Sequence, residues 1–169
     1  MLCAATSSSL MGISDKHIAN VMKTFIGVEH RLENVAIIKD VTYINDSKAT
    51  NLDSVSVAIQ SFNKPVVLIL GGRNKGADFR LLLPHIKSSH VRDIISYGEA
   101  GGQISTAIGD AVRSVQVTDL NSAVKTAQRL AAPGDVVLLS PGCASFDQFA
   151  DFEERGQYFK TKVMEMMTV

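Results

Sequence analysis

A chain of 169 residues, 46% of them hydrophobic, can bury one good core but is too short for two full domains. Lys plus Arg and Asp plus Glu balance at 17 each, so there is no basic field to attract nucleic acid and no acidic field to favour disorder, and any ligand site must be local. Cys3 and Cys143 have no CxxC spacing, no apolar run reaches the ~20 residues that span a bilayer, and Met1 to Gly12 lacks the basic start of a signal peptide; the expected setting is a reducing cytoplasm with no membrane partner.

Leu2 to Met11 is small and apolar and reads as a helix ended by Gly12. Ser14 then caps a second helix, in which Ile18, Val21, Met22 and Phe25 recur at helical spacing until Gly27. Two helices alone bury too little to be stable, so residues 1–27 read as the tail of a preceding domain, Gly27 to Asn34 as a linker and residues 28–169 as the domain proper. Val35 to Ile38 and Val41 to Ile44 are β-branched runs on either side of the turn-prone pair Lys39 and Asp40, the pattern of a short hairpin. Asn51 caps a helix carrying Leu52, Val55, Ala58, Ile59 and Phe62, and the unalternating run Val66 to Leu70 after Pro65 predicts a strand buried on both faces. There follow a helix Phe79 to Lys87 interrupted by Pro84, a strand Asp93 to Tyr97, a helix Gln103 to Ile108, a strand Val115 to Val117, a helix Ser122 to Ala131, a strand Val136 to Leu139 and a last helix Phe149 to Met166. This alternation predicts an α/β doubly wound sheet with helices on both faces, preceded by helices from the end of another domain; ligands of such sheets gather beyond the carboxyl ends of the strands.

Several segments carry chemistry at those ends. Gly71-Gly72-Arg73-Asn74-Lys75-Gly76-Ala77-Asp78-Phe79 is a flexible turn whose amides can approach an anion and which projects Lys75, with a solvated turn as the competing reading. It is not a Walker A loop, because Gly76 rather than Ser or Thr follows Lys75. Asn45 to Asn51 (NDSKATN) packs amides, an acid, a base and hydroxyls between strand and helix: Asp46 can accept from ribose hydroxyls, and Lys48 and Thr50 near a helix N-terminus can hold a carboxylate, against the alternative of an elaborate helix cap. In the linker Arg31 can grip a phosphate or ribose with His30 orienting it, although a salt-bridged linker with Glu29 and Glu33 explains the same residues. Ser145, after the last strand, can donate to an anion. Cys143 has no histidine nearby in sequence and reads as a small buried residue. Phe149, Phe152 and Phe159 read as core, with Phe152 placed early enough in the helix to face a site. His17, His85 and His90 have no companion at metal-ligand spacing, so no metal site is expected.

Taken together, His30-Arg31-Leu32-Glu33, NDSKATN at Asn45 to Asn51 and SPGCASFDQF at Ser140 to Phe149 resemble the Mur ligase family, and GGRNKGADF and the Phe152-Glu153-Glu154-Arg155-Gly156 run extend the likeness to the C-terminus. Within that family the NDSKATN segment is similar to the branch that adds D-glutamate. The resemblance implies a Rossmann-like, mostly parallel C-terminal domain of an ATP-dependent amide-bond ligase, with residues 1–27 ending the central ATP-binding domain. It implies that His30, Arg31 and Asp46 meet the nucleotide and that Lys48, Thr50, Lys75, Ser145, Phe146 and Phe152 surround D-glutamate. ATP, Mg²⁺ and UDP-N-acetylmuramoyl-L-alanine are implied for the complete ligase, none of them held by this segment alone. Its catalytic residues are implied to lie in the central domain, so that this segment is expected to be inactive by itself and monomeric. Gly142 departs from the alanine more usual at that place in the family, and Arg73-Asn74 is a variable pair. Two alternatives remain at this point: a stand-alone module that binds a nucleotide or acidic metabolite without turnover, and a purely structural fragment.

Overall fold

Every residue of Val66–Gly71 (β3) and Val136–Gly142 (β6) is buried, and neither run alternates because both lie in the middle of a sheet covered on two faces. In the computed structural model, which describes residues 2–167, these strands pair in parallel. On one side they are flanked by Val41–Asn45 (β2) and Glu33–Ile38 (β1), and on the other by Val91–Tyr97 (β4) and Arg113–Gln116 (β5). The order is β1-β2-β6-β3-β4-β5, parallel except for the antiparallel β1 and β2 pair. Met1 and residues 168 and 169, at the outer ends of the two expected segments, lie outside the described residues.

Leu52–Gln60 (α3), Leu83–Lys87 (α4) and Gly101–Ile108 (α5) cover one face, and Leu120–Leu130 (α6) and Phe152–Glu165 (α7) cover the other. Alternate residues of β3 serve the two layers: Leu68 and Leu70 pack with Val55, Ile59 and Ile104, whereas Val67 and Ile69 pack with Val124, Leu139 and Phe159. Each such side chain contributes about 1.5–3 kcal/mol by leaving water, which makes the two layers the main source of stability. The doubly wound, mostly parallel α/β arrangement expected from the alternation of elements is the one that forms.

Local chemistry explains where element boundaries differ from expectation. Pro84 falls in the first turn of α4, where a missing N–H costs nothing, so Phe79 to Lys87 divides into a 3-10 turn at Phe79–Leu82 and the short α4. The last helix begins at Phe152 because Asp151 caps it, accepting from the Glu154 N–H at 2.7 Å, while the Phe149 N–H is held by the Ser145 carbonyl at 3.0 Å in the preceding loop. Lys39 and Asp40 both have positive φ, 50° and 62°, which gives the hairpin the turn that matches strand twist. The linker is shorter than Gly27 to Asn34: the Arg31 N–H bonds the Val28 carbonyl at 3.1 Å, the Leu32 N–H bonds Asp46, and Glu33 and Asn34 already belong to β1.

Leu2–Leu10 (α1) and Asp15–Thr24 (α2) are helical as expected, yet neither contains a buried residue. Val21 is 60% and Phe25 49% exposed, and the two helices border an apolar cleft of about 410 Å³. Ser14 occupies the N-cap position, but its hydroxyl pairs with His17 Nδ1 at 2.7 Å instead of a backbone N–H. Among the described residues no helix is long and apolar enough to cross a membrane.

At the amino end of the parallel strands, Asp93 is buried and accepts from Arg92 at 2.8 Å and from Arg113, while Arg92 also meets Asp135 at 2.9 Å. Burial works to raise the Asp93 pKa, but the hydrogen bonds from Arg113 and Arg92 outweigh it and hold the carboxyl below its ordinary range. A carboxylate lowered in this way contributes stability that is complete above its unfolded value of about 4 and is lost as pH falls through the folded value. Asp93→Asn is therefore expected to lower the unfolding free energy at neutral pH by about 1–3 kcal/mol, less than a broken fully buried pair because both arginines reach solvent. It should also flatten the acid limb of the stability curve below about pH 4. Urea melts at neutral and acidic pH check both, and an unchanged acid limb would contradict the assignment.

Candidate functional site

Because β2, β6 and β3 are neighbours, the loops that follow them leave the sheet side by side, although residues 46–51, 72–78 and 143–151 are far apart in the chain. The β2 and β3 loops lead to helices on one face and the β6 loop leads to α7 on the other, so the carboxyl end of β6 is the switch point of the sheet, the place where such folds form a ligand crevice. Backbone hydrogen bonds lash the loops together. The Arg73 N–H bonds the Ala144 carbonyl at 2.9 Å and the Ala144 N–H bonds the Arg73 carbonyl at 3.1 Å, while the Gly142 N–H bonds the Ala49 carbonyl at 2.9 Å. On its outer side the β3 loop is pinned by the two-pronged Arg73 to Glu99 contact at 2.8 and 2.9 Å and by Asn74 to Gln103 at 2.9 Å, which leaves Lys75 exposed at the tip. Gly72 makes the lashing possible: its φ is +122°, and a Cβ there would collide with the Ala144 carbonyl oxygen.

The residues singled out in the sequence occupy distinct places around this crevice. Arg31, Asp46 and Lys48 line one groove of about 280 Å³ beside α3, with Asp53 and Ser54 on its far wall. Arg31 is exposed, whereas Asp46 is buried and already engaged at both oxygens, accepting from the Leu32 N–H at 3.2 Å and the Ser140 hydroxyl at 2.8 Å. Burial raises the Asp46 pKa, opposed by the Ser140 and Leu32 hydrogen bonds and the Arg31 charge. His30 is buried beneath the β2 loop, its Nδ1 2.9 Å from Asn45 Nδ2 and its ring edge-on to Phe152 at 6.2 Å. Lys48 Nζ stands 4.4 Å from the centre of the same Phe152 ring, so Phe152 is held between His30 and Lys48. Thr50 is half-buried just before the Asn51 cap of α3, and Ser145 is buried in the β6 loop next to Phe146, which is 61% exposed. Three groups thus emerge: Arg31, Asp46 and Lys48 share a groove, His30, Phe152 and Lys48 share contacts, and Lys75 and Ser145 ride on loops joined at Arg73 and Ala144.

Cys143 is buried and desolvation pushes its thiol up to about 12, in agreement with its reading as a packing residue. Among the described residues Glu29, His30 and Glu33 are the one group with ligand atoms close enough together for a metal ion. The Lys160 ammonium already bridges both carboxylates at 2.6 and 3.0 Å, so these residues do not fit Mg²⁺.

Four buried polar residues of the site carried no assignment in the sequence reading: Asn45, Ser47, Ser140 and Arg155. Asn45 Nδ2 faces His30 and donates to Glu33, and Ser140 donates to Asp46. Ser47 donates from its hydroxyl to the Phe152 carbonyl at 2.7 Å. Arg155 is fully buried and donates to Ser47 Oγ, to the Ser47 carbonyl and to the Cys143 carbonyl. One sequence signal for it existed: Arg155 lies in helical phase with the core residues Phe159 and Val163, where a charge is out of place unless it has a task.

The description "Mur ligase, glutamate ligase domain" matches residues 30–143, and the chain belongs to the Mur ligase family. The UDP-N-acetylmuramoylalanine--D-glutamate ligase of Salinibacter ruber is 42% identical over 167 residues, covering 98% of this chain and 36% of that protein. Its namesake from Lactobacillus delbrueckii subsp. bulgaricus is 46% identical over 167 residues, with the same 98% and 36% coverage. The chain therefore spans little more than a third of the length of these curated relatives. The crystal structure of a UDP-N-acetylmuramate-alanine ligase from Thermotoga maritima shares the fold, with a TM-score of 0.71 over 96% of this chain and 35% of that one at 13% identity.

The loop junction can be tested directly. Gly72→Ala should destabilise the protein by about 2–3 kcal/mol, because a left-handed backbone position and a collision with carbonyl oxygen act together. Gly76→Ala, at φ +91° with open space around it, should cost only about 1 kcal/mol. Equal losses in chemical denaturation would show that the junction is not under this steric constraint.

Proposed function

We propose that the chain is the amino-acid-receiving part of an ATP-dependent ligase that joins D-glutamate to UDP-N-acetylmuramoyl-L-alanine in the cytoplasm. Residues 28–169 form the domain that closes over the substrates, and residues 1–27 end the central ATP-binding domain, whose body would cover the apolar cleft between α1 and α2. The observation that carries the reading is the convergence, at the ends of three adjacent strands, of loops bearing Lys48 and Thr50, Lys75, and Ser145. The identity of 42–46% with D-glutamate ligases across nearly the whole chain supports the choice of amino acid.

In the complete ligase, phosphoryl transfer from ATP converts the muramoyl-alanine carboxylate to an acyl phosphate; the D-glutamate amine attacks its carbonyl, and phosphate leaves as the amide forms. The side chains of this domain position the amino acid. Lys48 and Lys75 attract its two carboxylates, Thr50 and Ser145 donate hydrogen bonds to them, Phe152 and Phe146 wall the crevice, and Arg31 and Asp46 meet the nucleotide with His30 packed behind them. Mg²⁺ and the catalytic groups would come from the central domain, a reading supported by Gly76 after Lys75, unlike a Walker A lysine, and by Lys160 filling the Glu29, His30 and Glu33 cluster.

Phosphate release by the full-length protein should require ATP, D-glutamate and UDP-N-acetylmuramoyl-L-alanine together, and turnover with another amino acid would overturn the substrate assignment. Lys75→Ala and Thr50→Ala in that protein should each raise the D-glutamate KM or lower kcat at least about tenfold, about 1.4 kcal/mol. Unchanged kinetics would remove both residues from the site.

A further inference from the structure

Arg155 is the one guanidinium buried among the described residues, and its surroundings are unusual for a buried cation. Its Nε and Nη2 donate to Ser47, at 2.9 Å to the hydroxyl and 2.8 Å to the carbonyl, and its Nη1 donates to the Cys143 carbonyl at 3.1 Å. All these acceptors are neutral, and no ion pair to Arg155 occurs among the described residues. A Cβ on Gly72 would lie 3.3 Å from Nη1, so the same group also abuts the β3 loop. One side chain from α7 therefore touches all three loops of the crevice: Ser47 immediately precedes Lys48, Cys143 lies two residues before Ser145, and Gly72 begins the segment that carries Lys75.

A buried charge without a direct ion pair is costly even with the Asp147 carboxylate acting on the same Tyr97 and Cys143, and a neutral side chain of similar size would tie fewer groups but avoid that cost. The arrangement makes physical sense where an anion arrives in the crevice, because the charge is then balanced from the ligand side across a layer of loop backbone. Hydrogen bonds from a fixed, planar fork also set the spacing of the loops, which a flexible ammonium would do less well. We propose that Arg155 is the positioning residue of this site: its guanidinium holds the three loops in register and biases the crevice toward a dicarboxylate amino acid. The inference rests on the proposed function for the identity of that amino acid, and not for the charge of the ligand.

The test uses the full-length ligase with Arg155→Met, which keeps bulk and removes charge and donors, and Arg155→Lys, which keeps charge and loses the fork. Arg155→Met should raise the D-glutamate KM at least about tenfold, the scale of a lost charged hydrogen-bond network, with the ATP KM changed less than about threefold. Arg155→Lys should recover part of that loss. Glutarate, a dicarboxylate without an amine, gives a readout independent of turnover: it should raise the thermal midpoint of the wild type more than that of Arg155→Met. Should Arg155→Met fail to fold, Ser47→Ala, which keeps the charge but removes the hydroxyl between Arg155 and the Phe152 carbonyl, is expected to fold with a lowered thermal midpoint and to raise the D-glutamate KM about three- to tenfold with the ATP KM changed less than about threefold. A purely structural Arg155 would lower kcat or stability while leaving the D-glutamate KM and the glutarate shift as in the wild type, and that result overturns the proposal. Wild-type turnover of a different acidic amino acid would instead overturn the D-glutamate reading, with the same KM comparison on that substrate deciding the role of Arg155.

Discussion

The last strand of the sheet enters between two strands laid down much earlier in the chain, and the crevice depends on that insertion. Parallel pairing sets Asn45 opposite Leu139 and Gly71 opposite Gly142, so the backbone leaves the sheet at a fixed height on all three strands. Three loops then meet that could not be neighbours by local folding. The cost is entropic, because β6 pairs with strands far from it in sequence and such long-range pairing closes large loops. The crevice and the centre of the core thus form together.

The loops of the crevice carry both signs of charge, and what separates them is which groups are already engaged. Lys48 and Lys75 stand exposed at its rim and Arg155 lies beneath it, whereas Asp46 is buried with a raised pKa and has both oxygens committed to Leu32 and Ser140, and Asp147 in the β6 loop accepts from the Glu99 N–H at 3.2 Å. Other acids near the loops are occupied as well, Glu99 by Arg73 and Glu33 by Lys160 and Asn45. Within a balanced total of 17 basic and 17 acidic residues, Lys48 and Lys75 are thus the cations left exposed on loops where a ligand would enter.

Much of the architecture was legible because the signals were local. The unalternating run at Val66 to Leu70 and the turn pair Lys39 and Asp40 each have one physical reading. Boundaries were missed where a tertiary partner decided them: Phe149 looks like the first residue of a helix until Ser145 takes its N–H, and Glu33 looks like linker until Asn45 pairs with it in the sheet. For the site, segments rich in Gly, Asn, Ser and Lys at strand ends marked which loops to inspect. Their mutual contacts were not legible, because the Arg73 to Ala144 bridge and the Ser47 to Arg155 bonds join residues far apart in sequence. The burial of His30 and Asp46 was equally out of reach, since it depends on Asn45 and Phe152 packing against His30 and on Ser140 bonding Asp46, all distant in sequence.

The junction ahead of the sheet is the place where the backbone has the fewest ties to the rest of the molecule. The last bond of α2 runs from the Phe25 N–H to the Val21 carbonyl, and the next joins Arg31 to Val28; among the described residues neither Ile26 nor Gly27 takes part in a backbone hydrogen bond. Ile26 is fully exposed and Gly27 has a φ of +97°. Rotation is cheapest about these two residues, and everything from His30 onward travels as one body, because His30 and Leu32 are fastened to Glu33 and Asp46. Arg31 is therefore tied to the sheet rather than to the helices ahead of it, and any turn about Ile26 and Gly27 would carry it together with Asp46 and Lys48.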